Sequence, residues 1–300
     1  MLRTLLVASI AAVALCCGNP ATPPEDSQLD VWVSIPPQRQ ILESVGGNAL
    51  RVEVLLPPGR SPATFEISPQ RLTALQGADV LVVIGVPFEE ALVPRLRSVA
   101  PDLRIVEGHR GIERRPMKDD HGHGHGEVDP HIWLDPVLVD RLAGNARDTL
   151  CELSPERCGG FTSHLESYRA QLAAAHRRIR ESLGPFEGRT LLVFHPAYGY
   201  FASRYGLDQL AVEVEGREPS ARQLAELVEI ARRQGLRDLF VQPELAGRSA
   251  DAVAEAIGGE VVLLDPLAPD LVDNLERMAS RIATALDSTE DAPGGTDGGA

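Results

Sequence analysis

Short β-branched runs alternate with longer stretches of helical period along this chain, in two series separated by one long amphipathic stretch. Strand-like runs fall at Val31–Ile35, Val52–Leu56, Val80–Ile84 and Leu103–Val106, with helical stretches near 69–76 and 88–98 and from about Val137 onward. The pattern restarts with strands at Thr190–Phe194, Leu210–Val214, Asp238–Val241 and Val261–Leu264, between helices near 197–205, 220–234, 249–257 and 270–286. Such alternation implies parallel sheets covered by helices, so the fold class is α/β. Between the series, residues 163–183 carry Leu165, Tyr168, Leu172, Ala175, Ile179 and Leu183 three or four apart. Ser163-x-x-Glu166 reads as an opening capping box and Gly184-Pro185 as the stop. This helix is long enough to brace two lobes. The expected organisation is a first lobe over 29–160, a linking helix over 161–186 and a second lobe over 187–287. Three hundred residues with 43% hydrophobic content suffice for two cores.

The ends read differently. Met1–Leu15 has one basic residue and a short apolar run, the shape of a secretory signal and too short to span a bilayer comfortably. It ends at Cys16-Cys17, similar to a bacterial lipobox, in which a cysteine is acylated and becomes the new N-terminus. Cys17, preceded by a small residue, suits this better than Cys16, which follows Leu15; ordinary cleavage without a lipid is the alternative. Residues 1–16 are thus the expected signal and 17–28, rich in proline and polar groups, a flexible tether. Residues 288–300 have no apolar pattern and are expected to be disordered. Export makes Cys151 and Cys158 readable as a disulfide, with Pro155 favouring a turn between them. A net charge of −14 argues against nucleic acid and attracts cations.

The chemistry concentrates in His121-Gly-His123-Gly-His125-Gly-Glu127, running into Asp129-Pro-His131, which puts four of eight histidines into eleven residues. Glycine at alternate positions removes packing area, so the segment 119–127 suits neither a helix face nor a buried strand. It can present imidazoles to a borderline cation, or be a polar loop with adventitious affinity. Open α/β sheets bind ligands beyond the carboxyl ends of their strands. His195 ends Thr190-Leu-Leu-Val-Phe-His195 and Asp265 ends Val261-Val-Leu-Leu-Asp265. Each alone reads equally as a turn or cap residue; together with the histidine tract they point to metal.

With these residues assembled, the chain resembles the zinc-type substrate-binding proteins of bacterial ABC importers, a receptor family with two α/β lobes joined by one long rigid helix. The resemblance covers nearly the whole mature chain. It is carried by Leu55-Leu-Pro-Pro-Gly59-Arg-Ser-Pro62-Ala63-Thr-Phe-Glu66, Asp129-Pro-His131-Ile-Trp-Leu-Asp135-Pro, Phe194-His195-Pro-Ala-Tyr198-Gly-Tyr-Phe201, Glu215-Gly-Arg-Glu218-Pro-Ser220 and Leu264-Asp265-Pro-Leu-Ala-Pro269-Asp270. It implies that His131, His195 and Asp265 are ligands in a cleft between the lobes, and that the tract is the histidine-rich loop of zinc-specific members. The departure is Ala63, where the family pattern Pro-His-Thr-Phe-Glu places a histidine ligand. Zinc prefers four ligands, so one position falls to His121, His123 or His125, to water, or to Glu66, with a loop histidine preferred, then water. The resemblance also implies that manganese and iron members carry a carboxylate where His195 stands, and two imidazoles with a carboxylate suit zinc better.

The expected function is capture of extracytoplasmic zinc and its delivery to an ABC permease, by a monomer held to the membrane by its lipid. A periplasmic zinc buffer or chaperone, or a metal-dependent adhesin, is the alternative on the same fold. A zinc hydrolase is disfavoured, because neither H-E-x-x-H nor G-x-S-x-G occurs.

Overall fold

The computed structural model describes residues 28–117, 128–213 and 220–288. The first lobe contains β1 (Leu29–Val33), α1 (Pro36–Gly46), β2 (Leu50–Val54), α2 (Pro69–Leu75), β3 (Val80–Val83), α3 (Phe88–Val99) and β4 (Arg104–Glu107). Helices α4 (Pro136–Leu153) and α5 (Cys158–Leu183) lead into the second lobe. That lobe holds β5 (Thr190–Val193), α6 (Gly199–Arg204), β6 (Asp208–Ala211), α7 (Ala221–Arg233), β7 (Asp238–Val241), α8 (Arg248–Ile257), β8 (Glu260–Leu263) and α9 (Leu271–Ser288).

Both sheets are parallel and wound identically, β2-β1-β3-β4 and β6-β5-β7-β8. Central strands of such sheets are covered on both faces and read as continuous apolar runs, as Val80-Leu-Val-Val does, every residue buried. In each sheet the winding reverses between the first and third strands, which opens a crevice at their carboxyl ends. In the first lobe this crevice is filled from within. Gln38 Oε1 accepts from the amides of Ser34 and Ile35 while its Nε2 donates to the Val82 carbonyl, and Glu89 accepts from the amides of Ile84 and Gly85.

Helix α5 buries the expected stripe, extended by one turn to Phe161. It starts at Cys158, so Ser163 lies inside the helix and does not cap it. The disulfide Cys151–Cys158 ties α5 to α4, and a short turn at Pro155–Arg157 precedes the helix. Helix α1 corresponds to no helical stretch read from the sequence: Pro36-Pro37 resembles a turn, yet proline is well placed in a first helical turn, where no amide partner is needed.

The core does not stop at the lobe boundary. One buried cluster runs through the first lobe, α4, α5 and α9 and takes in Leu191 and Val193 from one face of β5. Leu192, on the other face, joins a second cluster with α7 and α8. Helix α9 crosses back against α5, and the Val272 amide donates to Gln40 of α1 at 2.9 Å.

Candidate metal centre

His131 precedes a short turn, Ile132–Leu134, that enters α4, where Asp135 accepts from the Val137 amide as N-cap. His195 lies two residues past β5. The two rings, one from each lobe, stand with centroids 5.5 Å apart and planes at 73°. A metal about 2.0–2.1 Å from one nitrogen of each ring, in tetrahedral geometry, would set the centroids roughly 5 Å apart. The pair therefore already has the separation that a shared ion requires.

Each ring is oriented by a carboxylate. His131 Nδ1 lies 2.8 Å from Asp129 Oδ1, and His195 Nδ1 lies 2.6 Å from Glu213 Oε2. A carboxylate accepts from Nδ1–H, which fixes the tautomer with the lone pair on Nε2 and makes that nitrogen more basic toward a metal. Burial pushes the His131 imidazole below its ordinary value, with the charges of His195 and Arg115 adding to the effect against the opposing pull of Asp129. Burial works to raise the Asp129 carboxyl, but the hydrogen bond and charge of His131, with Arg115 beyond, hold it below the usual range.

Asp129 also receives two bonds from Arg115, Nε at 3.0 Å and Nη2 at 3.1 Å, while Arg115 Nη1 donates to Ser203 at 2.9 Å and its guanidinium lies 4.4 Å from the Tyr200 ring centre. Gly199 makes room for this crossing, because a Cβ there would stand 1.5 Å from Arg115 Nη2. A second tie joins Arg204 to Asp135, with Nη2 at 2.6 Å. Arg115 and Asp129 flank the antiparallel bridge Pro116–Val128 at the neck of the segment holding His121, His123 and His125. Those histidines, like Cys16 and Cys17, lie outside the described residues.

Asp265 lies two residues past β8 in a turn held from four sides. Its Oδ1 accepts from the Leu267 amide at 2.8 Å, its carbonyl accepts from Asn274, and the adjoining carbonyls of Leu264 and Pro266 accept from Tyr198 and Trp133. Glu244, three residues past β7, is half-buried, and its Oε1 is fully buried with no hydrogen-bond partner. Burial raises its carboxyl above the ordinary value and Asp265 adds to the effect, while a hydrogen bond from its own backbone amide and the charge of His195 oppose it. Glu66 and Ala63 are exposed. Among the described residues, no three His, Cys, Asp or Glu side chains stand close enough together to hold an ion. The histidine pair is formed, and Asp265 and Glu244 lie farther out.

Asp129, Glu213, Arg115 and Glu244 carry no role in the sequence reading. Glu213 and Glu244 were reachable by the strand-end rule that singled out His195 and Asp265; the place of Arg115 shows only in the folded chain.

Two parallel-sheet lobes with a carboxylate-backed histidine pair between them make this a metal-binding receptor of the two-lobed kind. A family model described as "Zinc-uptake complex component A periplasmic" matches residues 31–286, and the chain belongs to that family, the zinc-type substrate-binding proteins of ABC importers. The high-affinity zinc uptake system protein ZnuA of Yersinia pestis is 29% identical over 268 residues, 81% of this chain and 84% of that protein. The zinc-binding lipoprotein AdcA of Streptococcus pneumoniae is 28% identical over 282 residues, and there the match spans 88% of this chain but 55% of the relative. A crystal structure of ZnuA superposes with a TM-score of 0.81 at 37% identity, covering 86% of this chain and 99% of that one.

Proposed function

We propose that this protein captures zinc outside the cytoplasm through His131, His195 and Asp265 and delivers it to the permease of an ABC importer. The observation that carries the reading is the His131–His195 pair, drawn from two lobes at the spacing of a shared ion, each ring backed by a carboxylate. The ion is cargo: the protein binds and releases it and does no chemistry on it. Two imidazoles and a carboxylate favour zinc over harder divalent ions, while copper and nickel would bind the same donors at least as tightly in a test tube. Acylation at Cys17 would hold the receptor at the membrane as a monomer; no helix among the described residues is long and apolar enough to cross one. The decisive experiment is a zinc titration against a competing chelator. His195→Ala should lose affinity by orders of magnitude, and unchanged affinity would reject the site.

A further inference from the structure

We propose that Glu244 is itself a ligand of the captured metal, occupying the coordination position that Ala63 cannot supply. The inference rests on the reading of His131 and His195 as ligands, and goes beyond it in naming the donor that completes the set.

Topology places Glu244 between the residues it would join. Strand β7 pairs with β5 on one side and β8 on the other. The pairing continues past the strand ends, where the Phe194 amide donates to Phe240 and the Leu264 amide to Val241. The chain segment after β7 therefore emerges between the one that carries His195 and the one that carries Asp265. It also emerges at the crevice where the winding of the second sheet reverses, the place where such sheets take ligands. The equivalent crevice of the first lobe is filled by Gln38 and Glu89, whose polar atoms are spent on backbone groups. In the second lobe the acid at this crevice keeps one carboxylate oxygen, Oε1, free of any such task.

A buried carboxylate oxygen without a hydrogen bond forfeits the solvation it had in water, and buried polar atoms in folded proteins nearly always find a partner. Glu244 Oε1 has none. The nearby phenol of Tyr198 is committed to the Leu264 carbonyl at 2.7 Å and does not serve it. A divalent cation held by the histidine pair would satisfy Oε1 and relieve the repulsion between the Glu244 and Asp265 charges. Two imidazoles and two carboxylates form a four-donor set that neutralises a dication. Oε1 gives up no hydrogen bond when it turns toward the pair. Asp265 keeps Oδ1 on the Leu267 amide and has Oδ2 to offer.

The test compares Glu244→Gln, Glu244→Ala and His195→Ala in the full chain. Zinc affinity is measured by chelator competition, coordination by the visible spectrum of the Co(II)-loaded protein, and folding by thermal unfolding without metal. Both Glu244 variants should fold, bind zinc at least about tenfold more weakly, since even outer-shell partners of metal ligands are worth ~10–100-fold, and show an altered cobalt spectrum. Unchanged affinity and spectrum in both, with binding lost in His195→Ala, would overturn the role of Glu244 and leave the histidine site standing. Unchanged binding in His195→Ala would instead overturn the reading beneath it.

Discussion

A histidine offers a metal one nitrogen, and which one depends on what holds the other. Asp129 and Glu213 hold Nδ1 of His131 and His195 and so commit Nε2. Asp129→Asn and Glu213→Gln should therefore each weaken zinc binding by roughly 10–100-fold without removing a ligand; chelator competition measures this, and unaltered affinity would show that the rings are held by packing alone. The histidines also set an acid limit. Burial lowers the imidazoles of His109, His131 and His176 below the ordinary 6.5. An unfolded chain binds more protons than the folded one between those lowered values and 6.5, so their contribution is intact above 6.5 and is lost as pH falls below it. Glu89, raised by burial, acts in the opposite sense. The metal-free protein should melt at progressively lower temperature from about pH 7 to about pH 5.5, and His109→Asn should flatten that slope. At this scale the sequence singled out His195 and Asp265, because a polar residue at the end of an apolar strand stands out, and His131 through its place just after the histidine tract. It hid Asp129, because an acid beside proline reads as a turn until the ring it holds is seen.

At the scale of elements, alternation identified the strands and most of the helices, while boundaries depended on chemistry that periodicity does not carry. The Ser163-x-x-Glu166 box is a sound opening signal, but α5 begins at Cys158, five residues earlier. The covalent link to Cys151 and the turn at Pro155–Arg157 hold the first turn of the helix in place, even with Gly159 and Gly160 inside it. Gly159 and Gly160 mask this turn in the sequence, since glycine in a helix interior costs about 1 kcal/mol relative to alanine. The disulfide closes a loop of seven residues' separation. Loop-closure entropy then assigns it roughly 2–3 kcal/mol. Replacing both cysteines by serine should lower stability by about that amount in denaturant titration and leave zinc affinity in place, because the bond lies at the outer end of α4. A loss of zinc binding would show that α4 transmits the strain to His131.

For the whole molecule, two lobes were legible as two series of strands and helices, but their common core was not. Residues alternating along β5 belong to different clusters, and α9 is placed in the first lobe's core by contacts hundreds of residues away in sequence. Local pattern cannot report such contacts. The shared core, with the ties Arg204–Asp135, Arg115–Ser203 and Trp133–Pro266, leaves little freedom for hinged closure. Small-angle scattering should give the same radius of gyration with and without zinc, and compaction on loading would contradict a braced molecule. The return of α9 has one more consequence. The first lobe leaves the ribosome early, yet the helix that covers its side of α5 is the last of the described elements to be synthesised. Until those final residues emerge, the leading half of the chain lacks part of its interior, so a chain ending before Leu271 is expected to fall short of a stable first lobe.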